Sequence, residues 1–93
     1  MDLTYKVVIL RETDGRYSAI VPGLPGCATW GDTLPEALCM AEEAILAYMD
    51  GLEVLGKAPP PDVPVVTIED LDDVTEVSVH PMTVTLEEKV EVA

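Results

Sequence analysis

Eighteen carboxylates, two thiols and one imidazole are the side chains of this 93-residue sequence that could do chemistry. Carboxylates can hold a pair of metal ions for phosphodiester cleavage, provided that they converge on one cleft from strand and helix. The apolar run Tyr5 to Leu10 carries no acid. The dense group Glu69, Asp70, Asp72 and Asp73 is nearly contiguous, so its side chains diverge and read as a solvated loop. Cys27 and Cys39 are too few to staple a fold. With no C-x-x-C pair and only His80 beside them, they do not make a zinc site and read as small buried hydrophobes. His80 precedes Pro81 and reads as a turn residue. Neither a G-x-S-x-G elbow nor a Gly-rich phosphate loop is present. The residues therefore point to no catalytic group, no metal and no cofactor, and leave a binding module.

Charge narrows the partner. Five basic residues against eighteen acidic ones give a net charge of -13. Nucleic acid needs Lys and Arg to neutralise phosphates, and anionic membranes attract cationic segments, so both are disfavoured. A basic protein is favoured, since complementary charge steers encounter. The chain is 48% hydrophobic, too apolar for a disordered acidic tail. No segment approaches the roughly 18 apolar residues of a membrane span. Asp2 and a short apolar run are wrong for a secretory signal, which leads to the expectation of a cytoplasmic protein.

The elements that must position these residues follow from pattern. Leu3 to Leu10 is a strand rich in Val, Ile and Tyr, Thr13-Asp14-Gly15 a turn, and Arg16 to Val21 a second strand. Pro22-Gly23-Leu24-Pro25-Gly26 is a connector of fixed shape, followed by a short strand from Cys27 to Trp30. Thr33-Leu34-Pro35-Glu36 matches a capping box with proline in the first turn. The helix it opens runs to Leu55, with Gly56 as its stop. Leu34, Ala37, Leu38, Ala41, Ala44, Ile45, Tyr48, Met49, Leu52 and Leu55 share the arc that faces the sheet. Cys39, Met40, Leu46, Ala47 and Val54 join the acids on the other arc. After Pro59-Pro60-Pro61, Val65 to Ile68 is β-like. Val77 and Val79 alternate in one phase and Val84, Leu86, Val90 and Val92 in the other, which predicts two strands broken by a turn or bulge at His80-Pro81.

The series Gly15-Arg16-Tyr17 through Pro22-Gly23-Leu24-Pro25-Gly26 to Gly31-Asp32-Thr33-Leu34-Pro35-Glu36-Ala37 resembles the HicB family of antitoxins. Its marks are an aromatic strand, a P-x-L-P-G loop and G-x-T-x-x-E-A opening a helix, over residues 3 to 62. The resemblance implies an α+β fold, a β-β-β-α-β unit likened to a truncated ribonuclease H-like fold, with an extra C-terminal β segment. It implies a partner of HicA type, a small basic toxin that cleaves mRNA. Longer family members append a DNA-binding domain. Nothing after Pro61 has a helical period of ten residues, so direct DNA binding is not expected of this chain.

Residues 1–61 are thus expected to form the sheet-and-helix core, and 62–93 an acidic, β-rich tail within the same domain that completes the sheet or mediates oligomerisation. Trp30, Met40, Leu46, Val54, Val84, Leu86 and Val90 are the candidate residues for a partner or homo-oligomer interface. Two other readings stand beside the antitoxin: an orphan homo-oligomeric regulatory or structural domain without a toxin, and a metal-dependent nuclease of ribonuclease H-like fold.

Overall fold

In the computed structural model, which describes residues 1–67 and 72–86, five elements follow one another: β1 (Asp2–Glu12), β2 (Tyr17–Ile20), β3 (Ala28–Gly31), α1 (Leu34–Val54) and β4 (Val74–Thr85). The strands form one antiparallel sheet in the order β3-β2-β1-β4. Side chains alternate across a strand. Leu3, Tyr5, Val7 and Ile9 of β1 turn toward α1, whereas Thr4, Lys6, Val8 and Leu10 lie on the sheet's other face. The β1–β2 turn uses Gly15 at φ 93°, and the Arg16 N–H donates to Asp14 Oδ1 at 2.9 Å.

The Pro-Gly connector has an anchor that pattern reading did not single out. Leu24 is fully buried, and its N–H donates to Val21 O at 3.0 Å, while Cys27 N–H donates to Leu24 O at 2.9 Å. Gly31 ends β3 against the helix start. A Cβ there would stand 2.5 Å from Ala37 N, so only glycine lets strand and helix meet this closely.

The helix packs by one stripe, small at its start and larger toward its end. Ala37, Ala41, Ile45 and Met49, spaced by four, are its buried positions. Thr33 caps it, accepting from Glu36 N–H at 3.2 Å. At the other end Gly56 takes φ 69°, its N–H donates to Glu53 O, and Lys57 N–H donates to Leu52 O, which is a Schellman closure. Leu55 belongs to this cap and is exposed, not part of the core-facing arc as expected. Leu46 differs in the opposite sense: expected on the outer arc, it is partly buried against the core.

Beyond α1 the chain crosses back over β1. The Tyr5 hydroxyl donates to Pro60 O. Asp62 Oδ2 accepts from Lys6 Nζ at 2.8 Å and from Lys6 N–H at 3.3 Å. Gly23 leaves room for this crossing, since a Cβ on it would lie 3.0 Å from both Asp62 Oδ1 and Tyr5. The expected strand from Val65 is absent over residues 65–67, where Val65 is exposed in a bend; Ile68 lies outside the described residues.

The expected break at His80-Pro81 is also corrected. β4 is one strand from Val74 to Thr85 and pairs with β1 along its length. The two phases are two faces. Val77 and Val79 lie on the open face, Val84 on the helix face, and both faces carry apolar residues. The register does shift, but at Arg11/Glu12, where Arg11 pairs with Glu76 and Glu12 with Val74. Thr75 is left over, and its hydroxyl donates to Arg11 O at 3.2 Å.

Proline survives inside β4 for a reason of pairing. Met1 and Leu86 exchange both backbone hydrogen bonds, at 3.0 and 2.8 Å. Antiparallel ladders alternate between bonded and non-bonded pairs. Counting in twos from Met1 and Leu86 places Lys6 opposite Pro81 in a non-bonded pair. The missing N–H of Pro81 therefore lies on the free edge of the sheet, where a ladder bond is not lost.

Candidate functional site

Two surfaces stand out, on opposite sides of the sheet. The first is the exposed side of α1. The helix carries Glu36, Glu42, Glu43, Asp50 and Glu53 and no basic residue. These acids are solvent-exposed, with Met40, Ala47 and Val54 among them. Beside the C-terminal half of the helix runs an open groove of about 940 Å³, whose walls include Leu46, Leu52, Asp50, Glu53, Lys57 and Leu86. Apolar walls with an acidic rim suit an apolar anchor flanked by positive charge.

The second surface is the sheet face away from α1. Val8 stands between Ile20 of β2 and Val79 of β4, and Leu10 pairs with Val77 on the next rung. Trp30 of β3 shares this face at 52% exposure, with the Arg16 guanidinium 5.1 Å from its ring centroid. A shallow depression of about 340 Å³ lies between Glu12, Arg16, Ser18 and Trp30.

The candidate interface residues do not converge. Trp30 is exposed on the sheet face, whereas Met40 and Val54 are exposed on the helix. Leu46 and Leu86 are partly buried and line the groove. Val84 is corrected: it is 3% exposed, inside the core beneath α1, because it falls on the inward phase of β4. Val90 lies outside the described residues, as do Glu69 and Asp70 of the acidic loop. Sequence reading missed Val8, Ile20, Val77 and Val79 as a set, since their adjacency depends on the β1–β4 register. The clue present in the sequence was the apolar phase of Val77 and Val79.

The groups with chemistry are dispersed. No cluster of three or more His, Cys, Asp or Glu side chains able to hold a metal occurs among the described residues. Cys27 is buried, and burial raises its thiol pKa; Cys39, expected to be buried, is exposed on α1. His80 is not in a turn but in mid-strand, with Nε2 2.8 Å from Ser78 Oγ. Burial raises the Tyr5 phenol pKa, helped by the Asp62 and Tyr48 charges. Burial also pushes the Asp62 carboxyl up, but the Lys6 side-chain and backbone hydrogen bonds outweigh it and hold the group below its ordinary value. No helix among the described residues is long and apolar enough to cross a membrane.

Comparison with known proteins agrees with this architecture. A family model described as the HicB-like antitoxin of bacterial toxin–antitoxin systems matches residues 5–91. A UPF0150 protein of Thermoplasma acidophilum is 47% identical over 51 residues, which is 55% of this chain and 74% of that one. A UPF0150 protein of Synechocystis is 44% identical over 48 residues, 52% of this chain and 61% of its own length. Among solved structures, the N-terminal domain of the Burkholderia pseudomallei antitoxin HicB superposes with a TM-score of 0.62 at 20% identity, over 90% of this chain and all of that one. A chain of the HicA3 and HicB3 toxin–antitoxin complex gives a TM-score of 0.54 at 26% identity, over 67% of this chain and 73% of that one.

Proposed function

The chain belongs to the HicB-like antitoxin family, and from that premise we propose that it is a non-catalytic cytoplasmic module that binds and neutralises a small, basic, mRNA-cleaving toxin of HicA type. The observation that carries this reading is the helix: five exposed acids and no base, bordering a groove with apolar walls. A cationic toxin would gain from approaching this side and would find an apolar seat once there. Similarity to a chain of a HicA3 and HicB3 complex supports the same assignment. The kinship of the unit to a truncated ribonuclease H fold belongs to this reading as well. Met40, Leu46, Val54 and Leu86 are the members of the candidate set that this surface would use.

The test is co-expression with the small basic protein encoded beside this one, followed by affinity capture at rising salt. Capture is expected at low salt and to weaken as salt screens the charges. Reversing Glu42, Glu43 and Asp50 to lysine is expected to lower affinity by about tenfold or more. A genome with no such neighbour, or capture indifferent to both salt and the reversals, would sink the proposal.

A further inference from the structure

We propose that the free edge of β3 is a docking site for an extended segment of a basic protein, with an arginine of that segment stacking on Trp30. β3 ends the sheet, with β2 on one side of it and, among the described residues, no strand on the other. Val21 N–H donates to Cys27 O, Ala19 pairs with Thr29, and Tyr17 pairs with Gly31. Bonded pairs alternate along an antiparallel ladder, so Cys27, Thr29 and Gly31 are the residues that bond to β2. The N–H and C=O groups of Ala28 and Trp30 therefore face outward. An added strand is held through such groups, and the side chains beside them select its sequence.

The two edges of the sheet differ. On β4, Pro81 removes a donor from the middle of the outward row. Proline and lysine on an edge strand discourage pairing with another chain. The β3 sequence Ala28-Thr29-Trp30-Gly31 carries neither. The side chains of Ala28 and Trp30 are exposed as well. Four residues make a short edge, so side-chain contacts must supply part of the affinity.

Those contacts define the partner. The face of an indole ring attracts a cation. The Arg16 guanidinium, 5.1 Å from the Trp30 ring centroid, already uses this attraction within the chain. Its charge is met by Asp14, Nε to Oδ2 at 3.0 Å. Ser18, opposite Trp30, and Ala28, two residues before it, are small and leave the depression of about 340 Å³ beside the ring. Glu12 lines that depression. Its Oε1 accepts from Ser18 Oγ at 3.1 Å, and no base among the described residues pairs with it. Asp32, exposed, follows β3. A guanidinium is planar, stacks on aromatic rings and binds a carboxylate through two N–H groups. Trp30 and Glu12 together suit that chemistry. The net charge of -13 draws a basic segment and repels an acidic one. The proposal does not rest on the antitoxin reading, whose acids lie on α1.

The experiment titrates the full chain with a capped seven-residue peptide that alternates threonine, which favours strands, with arginine. Trp30 is the sole tryptophan, so its fluorescence reports the site directly. A saturable change in emission is expected. Replacing arginine by citrulline, its neutral isostere, is expected to weaken binding by about threefold or more. Hydrogen exchange at the Ala28 and Trp30 amides is expected to slow when the arginine peptide binds. Glu12→Gln and Trp30→Leu, followed by the peptide's own NMR signals, are each expected to weaken binding. The helix double variant Glu42→Gln with Glu43→Gln is expected to leave it unchanged. Circular dichroism confirms folding, and if one site variant fails to fold the other carries the test. No change in emission, equal binding of the citrulline peptide, or binding kept in a folded site variant overturns the proposal. So does loss of binding in the helix variant, or amide protection confined to α1 or β4. Protection of the Ala28 and Trp30 amides in the chain alone as its concentration rises would give the edge to another copy and overturns it too. Because the probe is a synthetic peptide, failure here is separate from failure to capture a toxin.

Discussion

At the scale of the residue, two small features decide a good deal. Gly31 is held by contact rather than by backbone angle, with the first turn of α1 filling the place of its missing side chain. Gly31→Ala must push Ala37 away from β3 and is expected to cost about 1–3 kcal/mol, read as a lower midpoint in urea denaturation. The Asp62 carboxylate ties the segment after α1 to β1. Its pKa is lowered on folding from an ordinary value of 3.8. Its contribution is therefore fully present above that unfolded value and is lost as pH falls through the folded one. Denaturation midpoints are expected to fall on acidification below pH 3.8, and Asp62→Asn should remove part of that slope. An unchanged slope in the variant would show that other carboxylates carry it. Neither role was visible in the sequence, because each depends on a neighbour distant along the chain. The Thr33 cap and the Gly56 stop were visible, because a helix end is set by residues within a few positions.

At the scale of the element, the hairpin, β3 and the helix are where periodicity and turn chemistry place them, within a residue or two. The misreading of β4 has a simple cause. The two apolar phases of β4 were read as two strands, whereas a strand with apolar side chains on both faces gives the same pattern. Periodicity reports a face, and it assumes that only one face is apolar. Leu46 fails for a related reason: a helix seated beside an open groove buries a wider arc than its core stripe. The helix itself has room for improvement. Gly51 is exposed, and a Cβ there would meet nothing within 4 Å. Gly51→Ala is expected to raise stability by about 1 kcal/mol, seen as a higher melting temperature with unchanged circular dichroism. A lower melting temperature would mean that the site is less open in solution.

At the scale of the whole molecule, composition already named a compact acidic protein, and the fold distributes that acidity. Among the described residues, five acids and no base lie along α1. As pH falls from neutrality toward the isoelectric point near 4.1, the repulsion between copies fades. Light scattering is expected to rise across this interval; a flat trace would contradict the balance of charge and apolar surface described above. The ladder between β1 and β4 has a consequence in time as well as in space. Asp2 and Thr85 bond across the ladder although they lie 83 positions apart, whereas β1 and β2 are joined by a tight turn. Local contacts close quickly and distant ones slowly, since a long loop must be drawn in first. The hairpin and helix should therefore assemble early, with β1 waiting beside an empty edge. Refolding should show a fast rise of helix signal and a slower protection of the Leu3, Tyr5 and Val7 amides as β4 docks. During that interval the edge of β1, later sealed, is the part of the molecule most open to wrong pairing.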